Sequence, residues 1–247
     1  MELIDYLKRF ERLAIAFSGG VDSSYLLYAA VKAGLTVQPY FVKSPFVPDL
    51  ERADALRLAA SLGVSVQEIT VDPLRDERIV ANPDNRCYYC KQHVFNAIIE
   101  AANHDGFHHV ADGTNASDEY DDRPGMKAIQ ELHIHSPLRA CGLTKSMIRN
   151  ASREAGLFTW NKPAYACLAT RFPAGQRITR DGLRKVEEAE GYLFSLGFSD
   201  FRVRLLGNIA KIQVPQPQLE NVLQYRELII KQLRPLFDAV LLDLEVR

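Results

Sequence analysis

Short apolar runs alternate with longer amphipathic stretches over the first two thirds of the chain. The runs are typical of buried strands, and the amphipathic stretches repeat apolar residues every three or four positions, as helices do. The pattern predicts strands at 13–17, 36–42, 64–71 and 108–111 and helices at 24–31, 48–62, 87–102 and 144–155. This alternation predicts an α/β fold in which helices cover both faces of a parallel sheet.

The pattern changes after Phe172-Pro173-Ala174-Gly175. A long charged helix precedes two short alternating runs that flank Gly207-Asn208, an arrangement typical of a hairpin. The pattern here predicts helices at 179–196 and 218–233 and strands at 201–206, 209–214 and 239–244. We therefore expect a main domain at 1–175 and a small α+β domain at 176–247.

Length and composition fit this organisation and restrict the partners. The chain has 247 residues, of which 47% are apolar, enough for a sizeable core. Its 30 Lys and Arg residues balance 31 Asp and Glu residues, so charge gives no general case for binding nucleic acid or an anionic membrane. No run approaches the ~20 apolar residues of a membrane span, and the charged start is unlike a signal peptide. Four cysteines do not make a disulfide framework, so we expect a cytoplasmic protein.

The loop at 18–23, Ser-Gly-Gly-Val-Asp-Ser, joins the first predicted strand to the first predicted helix. Gly19 and Gly20 let the backbone approach a bound anion, and the amide groups and dipole of the helix start favour a phosphate there. The loop lacks the Lys-Ser/Thr pair of a Walker A motif and the spaced glycines of a dinucleotide-binding loop. A chance glycine turn before an ordinary helix is the alternative interpretation.

Ser44 and Asp112 follow the ends of two further predicted strands. Ligands of parallel sheets bind beyond the carboxyl ends of the strands, so we expect Ser18, Ser44 and Asp112 to converge on one nucleotide. For Ser44, turn chemistry before Pro45 is an equally good interpretation.

Cys87 and Cys90 form a C-x-x-C pair at the start of a predicted helix, where the dipole favours thiolates and the spacing suits a shared metal. A structural zinc site needs two more ligands, usually a second close pair, and the chain has none. A redox pair is a further alternative, without a thioredoxin-like context. With Cys167 the pair could hold an iron–sulfur cluster with one iron open to a non-protein ligand, and separate roles for the three cysteines compete with this interpretation. Cys141 is expected to be a small, half-buried hydrophobe.

Arg202 and Arg204 alternate with apolar residues along a predicted strand. The period of two places both guanidinium groups on one face, about 7 Å apart. Such a pair can bind a phosphate or a carboxylate in bidentate fashion. The competing interpretation is the ordinary polar face of a half-exposed strand.

Several motifs, together with the loop at 18–23, resemble the LarE family in order and spacing across nearly the whole chain. They are Ala111-Asp112-Gly113-Thr114-Asn115, Asp122-Arg123-Pro124-Gly125-Met126-Lys127-Ala128, Asn161-Lys162-Pro163, Cys167, Arg171-Phe172-Pro173 and Phe201-Arg202-Val203-Arg204. LarE proteins are ATP-dependent sulfur transferases of the PP-loop (ATP-pyrophosphatase) superfamily that make the nickel-pincer nucleotide, the cofactor of lactate racemase. The resemblance implies an adenine-nucleotide α-hydrolase-like fold. It also implies an enzyme that adenylates the carboxylates of pyridinium-3,5-biscarboxylic acid mononucleotide, releases pyrophosphate and forms thiocarboxylates.

The resemblance also implies a source for the sulfur. In one branch of the family, the cysteine matching Cys167 attacks the acyl-adenylate, surrenders its own sulfur and becomes dehydroalanine. That branch lacks cysteines at the positions of Cys87 and Cys90, whereas this sequence has both. The chain is therefore similar to the other branch, in which three cysteines hold a 4Fe-4S cluster whose open iron carries the transferred sulfide. Such an enzyme needs a sulfide donor.

By the same resemblance, one set of residues holds ATP and a second set lies near the substrate. The ATP set, which Mg²⁺ assists, is Ser18, Gly19, Gly20, Asp22 and Ser23. The substrate set is Glu119, Thr170, Arg171, Arg202 and Arg204. The resemblance also implies that the C-terminal domain serves substrate binding or oligomerisation, in a homo-oligomer that is often a hexamer.

Three other classes of protein share parts of this pattern. A tRNA thiolase joins a PP-loop to a three-cysteine cluster, but usually carries zinc-binding cysteine pairs or a strongly basic surface. Ammonia-using synthetases share the loop without needing the three cysteines. A non-enzymatic ATP-binding redox sensor, with a reversible disulfide between Cys87 and Cys90, would bind ATP without releasing pyrophosphate.

Overall fold

The computed structural model describes residues 1–118, 124–163 and 165–246. In chain order its helices and strands are α1 (Leu3–Leu7), β1 (Arg12–Ala16), α2 (Val21–Lys32), β2 (Thr36–Lys43), α3 (Asp49–Ser61), β3 (Gln67–Thr70), α4 (Glu77–Val80), α5 (Arg86–His104), β4 (Val110–Ala111), α6 (Pro124–Glu131), α7 (Pro137–Ala140), α8 (Lys145–Glu154), α9 (Arg180–Ser195), β5 (Arg202–Leu206), β6 (Ile209–Gln213), α10 (Leu219–Gln224), α11 (Arg226–Leu233) and β7 (Ala239–Leu242). Short 3₁₀ helices lie at Pro73–Arg75, Phe158–Asn161, Leu168–Arg171 and Gln216–Gln218. Among the described residues, no helix is long and apolar enough to cross a membrane.

The chain forms two compact units. The first contains Met1–Pro73 and Asn85–Lys162, and the second contains Leu74–Asp84 and Pro163–Arg247. The assignment of separate roles to residues 1–175 and 176–247 stays a prediction.

The first unit is built on a four-stranded sheet in the order β3-β2-β1-β4, and its strand pairs are all parallel. Alternate residues of β1 face opposite sides of this sheet. Leu13 and Ile15 pack into an apolar cluster with α1, α2 and α3, whereas Ala14 packs into a second cluster with α5 and α6. The predicted parallel sheet with helices on both faces is confirmed, and the carboxyl ends of β1, β2 and β4 point to one edge.

The second unit contains a three-stranded mixed sheet in the order β5-β6-β7. The β5–β6 pair is the predicted antiparallel hairpin, and β7 lies parallel to β6. Phe201, Val203 and Leu205 are buried, as the alternation of apolar residues predicts for the inner face. The predicted small C-terminal α+β architecture is confirmed.

The single helix expected at 218–233 is two helices, α10 and α11, separated by Tyr225. Tyr225 has φ -90° and ψ 8°, which lies outside the α-helical region and ends α10. Its amide still donates to the Asn221 carbonyl oxygen, as in a helix. Apolar periodicity does not detect such a break, because the spacing of the residues along the sequence is unchanged. Helices α4, α6 and α7, with 4, 8 and 4 residues, are too short for a periodic pattern to predict.

Candidate functional site

The hydroxyl and amide groups of the loop at 18–23 form a hydrogen-bond network at the start of α2. The Ser18 and Ser23 hydroxyl oxygens are 3.1 Å apart, and the Ser18 amide donates to the Ser23 hydroxyl at 3.3 Å. Gly20 is the N-cap residue of α2. Gly19 has φ +70°, and a Cβ atom there would lie 2.9 Å from the backbone of Ala55 in α3. Only glycine combines that conformation with so close an approach, so the loop is pressed against α3. The Gly20 amide donates to the Ser18 hydroxyl at 3.4 Å, so amide and hydroxyl donors lie together at the start of α2, where an anion is favoured.

The segment after β4 contacts the same loop. A Cβ atom on Gly113 would lie 2.8 Å from the Ser23 amide nitrogen, so this glycine lets the segment after β4 pack against the first turn of α2. The neighbouring Asp112 is 6% exposed and accepts hydrogen bonds from the Thr114 and Ser136 hydroxyls. Burial raises the pKa of the Asp112 carboxyl above its ordinary value, against those hydrogen bonds.

Ser44 follows β2 at the same edge of the sheet. Its hydroxyl accepts a hydrogen bond from the Phe46 amide at 3.2 Å, and its carbonyl accepts one from the Val47 amide at 3.0 Å. Both contacts are hydrogen bonds of a turn. They fit the interpretation of Ser44 as a turn residue, which the sequence analysis set beside its nucleotide-binding role.

Two lysines to which the sequence analysis assigned no role lie at the loop, and one of them belongs to the Asn161-Lys162-Pro163 motif. Lys145 forms an ion pair with Asp22 in the first turn of α2, and Lys162 donates to the Gly19 carbonyl oxygen at 3.5 Å. The second carboxylate oxygen of Asp22, Oδ1, is buried and has no hydrogen-bond partner among the described residues. A buried carboxylate oxygen without a donor suits a cation, so the start of α2 fits the Mg²⁺ that the resemblance implies.

Cys87 and Cys90 lie one turn apart on α5, as the helical prediction requires. Cys87 is exposed and Cys90 half-buried, and the Arg86 guanidinium donates to the Cys87 sulfur at 3.8 Å. Two adjacent thiols are donors that iron–sulfur clusters use, so this pair fits the group that the resemblance implies. Among the described residues, no set of three or more His, Cys, Asp or Glu side chains is arranged to hold a metal ion.

The amino-terminal ends of α5 and α6 line an open cavity of about 330 Å³. Its lining residues are Asn85, Tyr88, Tyr89, Pro124 and Lys127. The Tyr88 hydroxyl, oriented by Gln92, donates to Glu131 at 2.6 Å. The cavity therefore has two tyrosines in its wall, both on α5 between Cys87 and Cys90 in the sequence, and a lysine from α6.

In the second unit, Arg171 forms a buried ion pair with Glu190. Arg171 is 0% exposed and Glu190 is 1% exposed. Two parallel hydrogen bonds of 2.7 and 3.0 Å join the guanidinium to the carboxylate. Glu190 also accepts from the Val203 amide at 2.8 Å and from the Tyr165 hydroxyl. Burial, followed by the charge of Glu190, raises the pKa of Tyr165.

This ion pair anchors the segment that carries Cys167. Cys167 is half-buried and precedes the 3₁₀ helix Leu168–Arg171. The Thr170 amide and hydroxyl both donate to the Cys167 carbonyl oxygen, at 2.9 and 2.8 Å, and the Thr170 hydroxyl accepts from Arg171 at 2.8 Å. A chain of hydrogen bonds thus runs from Glu190 through Arg171 and Thr170 to the backbone of Cys167.

The two strand arginines have different surroundings. Arg202 is 4% exposed, donates to the Phe201 carbonyl at 2.6 Å and lies 5.3 Å from the centre of the Tyr165 ring. Arg204 is half-buried and donates to the Gln213 side chain at 2.8 Å and to the Thr170 carbonyl. Both arginines therefore reach from β5 to the segment that carries Cys167, Arg202 at Tyr165 and Arg204 at Thr170.

Within each unit the structure brings predicted residues together. The loop and Asp112 meet in the first unit, and Cys167, Thr170, Arg171, Arg202 and Arg204 meet in the second. Glu119 lies outside the described residues. Burial raises the pKa of the Cys141 thiol, in keeping with a half-buried hydrophobe. Sequence reasoning missed Glu190, although a glutamate between Val186 and Leu193 on the apolar face of a predicted helix is itself a signal.

Comparison with known proteins identifies relatives of this chain. No protein-family model matches the chain. It is 37% identical over 245 residues to the pyridinium-3,5-bisthiocarboxylic acid mononucleotide synthase of Lactiplantibacillus plantarum, an alignment that covers 98% of this chain and 89% of that protein. It is 35% identical over 223 residues to an uncharacterized protein of Synechocystis sp., covering 90% of this chain and 83% of that protein. The tRNA-specific 2-thiouridylase MnmA of Thermotoga petrophila is 26% identical over 193 residues, covering 61% of this chain and 54% of MnmA.

The glycine-rich loop between a central parallel strand and its helix defines a protein of the PP-loop class. The identity and coverage of the Lactiplantibacillus relative narrow this class further. The chain belongs to the family of pyridinium-3,5-bisthiocarboxylic acid mononucleotide synthases, the LarE family.

Proposed function

We propose that this protein is an ATP-dependent sulfur transferase that adenylates the carboxylates of pyridinium-3,5-biscarboxylic acid mononucleotide and converts them to thiocarboxylates. The observation that carries the proposal is the 37% identity, over 98% of the chain, to a protein with the name of that synthase. The enzyme acts in the cytoplasm as a homo-oligomer, a hexamer by family resemblance, on the pathway to the nickel-pincer cofactor of lactate racemase.

The loop and its neighbours bind ATP. Ser18, Gly19, Gly20 and Ser23 bind the phosphates through amide and hydroxyl donors, and Asp22 holds Mg²⁺ through a carboxylate oxygen. Ser44 and Asp112 complete the nucleotide site at the ends of their strands. Adenylation replaces a poor leaving group on the substrate carboxylate by AMP, and the N-terminus of α2 stabilises the pyrophosphate as negative charge develops on it.

The three cysteines deliver the sulfur. Cys87, Cys90 and Cys167 would hold a 4Fe-4S cluster, which when bound supplies sulfide from a donor at the iron that no cysteine holds. Of the three cysteines, Cys167 would be nearest the reacting carboxylate, since the arginines proposed to bind the substrate contact its segment. Soft sulfur is a strong nucleophile near neutral pH, so an acyl-adenylate placed there reacts without a strong base.

Thr170, Arg202 and Arg204 bind the mononucleotide, together with Glu119, which the family resemblance assigns to the substrate. A guanidinium group binds a phosphate through two parallel hydrogen bonds. We therefore assign Arg202 and Arg204 of β5 to the phosphate of the mononucleotide and not to its pyridinium ring. Arg171 orients this segment from its buried ion pair with Glu190.

Pyrophosphate release tests the reaction. The protein is incubated with ATP and Mg²⁺, and pyrophosphate is measured with the pyridinium mononucleotide, with unmodified tRNA and with neither. Release that depends on the mononucleotide is expected. Release that depends only on tRNA would instead support the tRNA thiolase that the MnmA similarity suggests, and ATP binding without any release would favour the redox sensor.

Metal and sulfide content tests the cluster. Anaerobically purified protein is expected to contain iron and acid-labile sulfide, and Cys90→Ala is expected to lose both while still binding ATP. Cys141→Ala is the matched control and is expected to keep its iron, because Cys141 is not a proposed ligand and packs against the apolar cluster of α1, α2 and α3. An iron-free protein that cannot be reconstituted would exclude the cluster. A Cys90→Ala variant that makes thiocarboxylate and loses one sulfur in mass would establish the sacrificial route through Cys167.

A further inference from the structure

The loop proposed to hold the ATP phosphates carries no lysine or arginine of its own. The start of a helix contributes roughly half a positive charge, whereas a triphosphate carries several negative charges. Mg²⁺ neutralises part of this charge. The remainder calls for a side-chain cation that reaches the loop from elsewhere in the chain.

Lys162 reaches the loop from the far end of the first unit. Its Nζ atom lies 3.5 Å from the Gly19 carbonyl oxygen, and its side chain is 15% exposed. The backbone at this point is fixed, because Arg149 donates to the carbonyl oxygens of Trp160 and Lys162 at 2.7 and 2.8 Å. The Lys162 side chain is therefore held at both ends, at its backbone by Arg149 and at its ammonium group by the Gly19 carbonyl oxygen.

Two carboxylates of α3 hold the same ammonium group. Glu51 and Asp54 lie 3.0 and 2.9 Å from Lys162 Nζ. They stand one turn apart on α3, next to Ala55, whose backbone touches Gly19. Burial raises the pKa of Glu51, and the charge of Lys162 opposes that rise. A phosphate at the loop would thus arrive beside two acidic groups that repel it, with one lysine between them.

We propose that Lys162 binds a phosphate group of ATP at the loop, and that Glu51 and Asp54 hold its ammonium group in place until the nucleotide arrives. An ammonium has three N–H donors, so Lys162 can turn a donor from a carboxylate to a phosphate oxygen without leaving its position. The inference rests on the proposed function in taking ATP as the ligand. It adds a phosphate-binding residue from outside the loop. It also adds an exchange of partners, in which the Lys162 ammonium replaces a carboxylate by a phosphate.

The test measures dissociation constants by calorimetry for a non-hydrolysable ATP analogue and for adenosine. Lys162→Met is expected to weaken binding of the analogue at least tenfold and binding of adenosine less than twofold, because adenosine carries no phosphate. Lys162→Arg keeps the charge and is expected to stay within threefold of the unaltered protein. Lys32→Met is the matched control, since Lys32 is exposed in the last turn of α2, far along the helix from the loop.

Unchanged binding of the analogue by Lys162→Met would overturn the inference, as would equal weakening for the analogue and adenosine. Glu51→Gln gives a second measure that does not depend on folding of the methionine variant. Removal of a competing carboxylate is expected to tighten binding of the analogue threefold or more. Weaker binding would overturn the proposal that the ammonium group passes from Glu51 and Asp54 to a phosphate. Lys162-dependent binding of ATP without pyrophosphate release would support this inference while contradicting the proposed function.

Discussion

Replacing Glu190 by glutamine removes the charge that compensates a buried arginine. Glu190 and Arg171 are 1% and 0% exposed, so water cannot replace the lost carboxylate. Glutamine keeps one acceptor oxygen, which can still serve the Val203 amide. Its NH₂ group, however, would meet the N–H donors of Arg171 at the position where the carboxylate now accepts.

The size of the effect follows from this burial. Breaking one partner of a buried ion pair costs about 3–5 kcal/mol, because the other charge is left uncompensated. Glu190 accepts two hydrogen bonds from Arg171 and one each from Val203 and Tyr165, which favours the upper part of that range. We expect Glu190→Gln to lower the free energy of unfolding by about 4 kcal/mol.

Urea denaturation, followed by circular dichroism, measures this loss. Glu188→Gln on the same helix is the matched control. Glu188 is exposed and pairs with Arg184 at 3.2 Å, an arrangement worth roughly 0.5 kcal/mol. The double variant Glu190→Leu with Arg171→Met is expected to recover much of the stability, since a buried ion pair can be replaced by apolar residues.

A loss below about 1 kcal/mol for Glu190→Gln would refute this reasoning, because it would mean that Arg171 is not held by a buried charge. Sulfur transfer gives an independent readout. Glu190→Gln is expected to reduce thiocarboxylate formation even where the protein is folded, since the hydrogen-bonded chain from Glu190 ends at the backbone of Cys167. Full activity in a destabilised variant would limit Glu190 to a structural role.

Further outcomes are expected at four positions. Gly113→Ala should weaken ATP binding and cost about 1–3 kcal/mol of stability, because its Cβ atom would lie 2.8 Å from the Ser23 amide nitrogen. Gly191→Ala in α9, where nothing lies within 4 Å, should instead stabilise by roughly 0.5–1 kcal/mol. Denaturation and calorimetry distinguish the two glycines. Arg204→Ala should weaken binding of the pyridinium mononucleotide by ~1.5–3 kcal/mol, and unchanged affinity in calorimetry would make Arg204 part of an ordinary polar face. Burial and neighbouring positive groups lower the pKa of His135, so the unfolded chain takes up a proton first as the solution is acidified. Unfolding free energy should therefore fall as the pH drops below about 6.5, and His135→Gln should flatten that dependence between pH 8 and pH 5.

The sequence by itself determined the features that depend on neighbouring residues. The apolar run before residue 18, the glycine pair and the following amphipathic stretch are sufficient to predict strand, loop and helix. Alternation along 201–206 similarly predicted that the apolar side chains there are buried, although it did not predict the burial of Arg202, which is 4% exposed. These features are local, because residue spacing sets the direction of each side chain within a strand or a helix.

Only the tertiary structure decided which distant residues meet. Lys162 and Gly19 lie 143 residues apart in the chain, and Glu190 and Arg171 lie 19 apart. The apolar periodicity of α9 can mark Glu190 as buried, but it names neither its partner nor that of Lys162. That Arg171 lies near the substrate stays a prediction, whereas its pairing with the buried carboxylate of Glu190 is visible only in the fold. The physical reason is that long-range pairing is selected by burial and charge compensation over the whole fold, which a pattern of apolar and polar positions does not record.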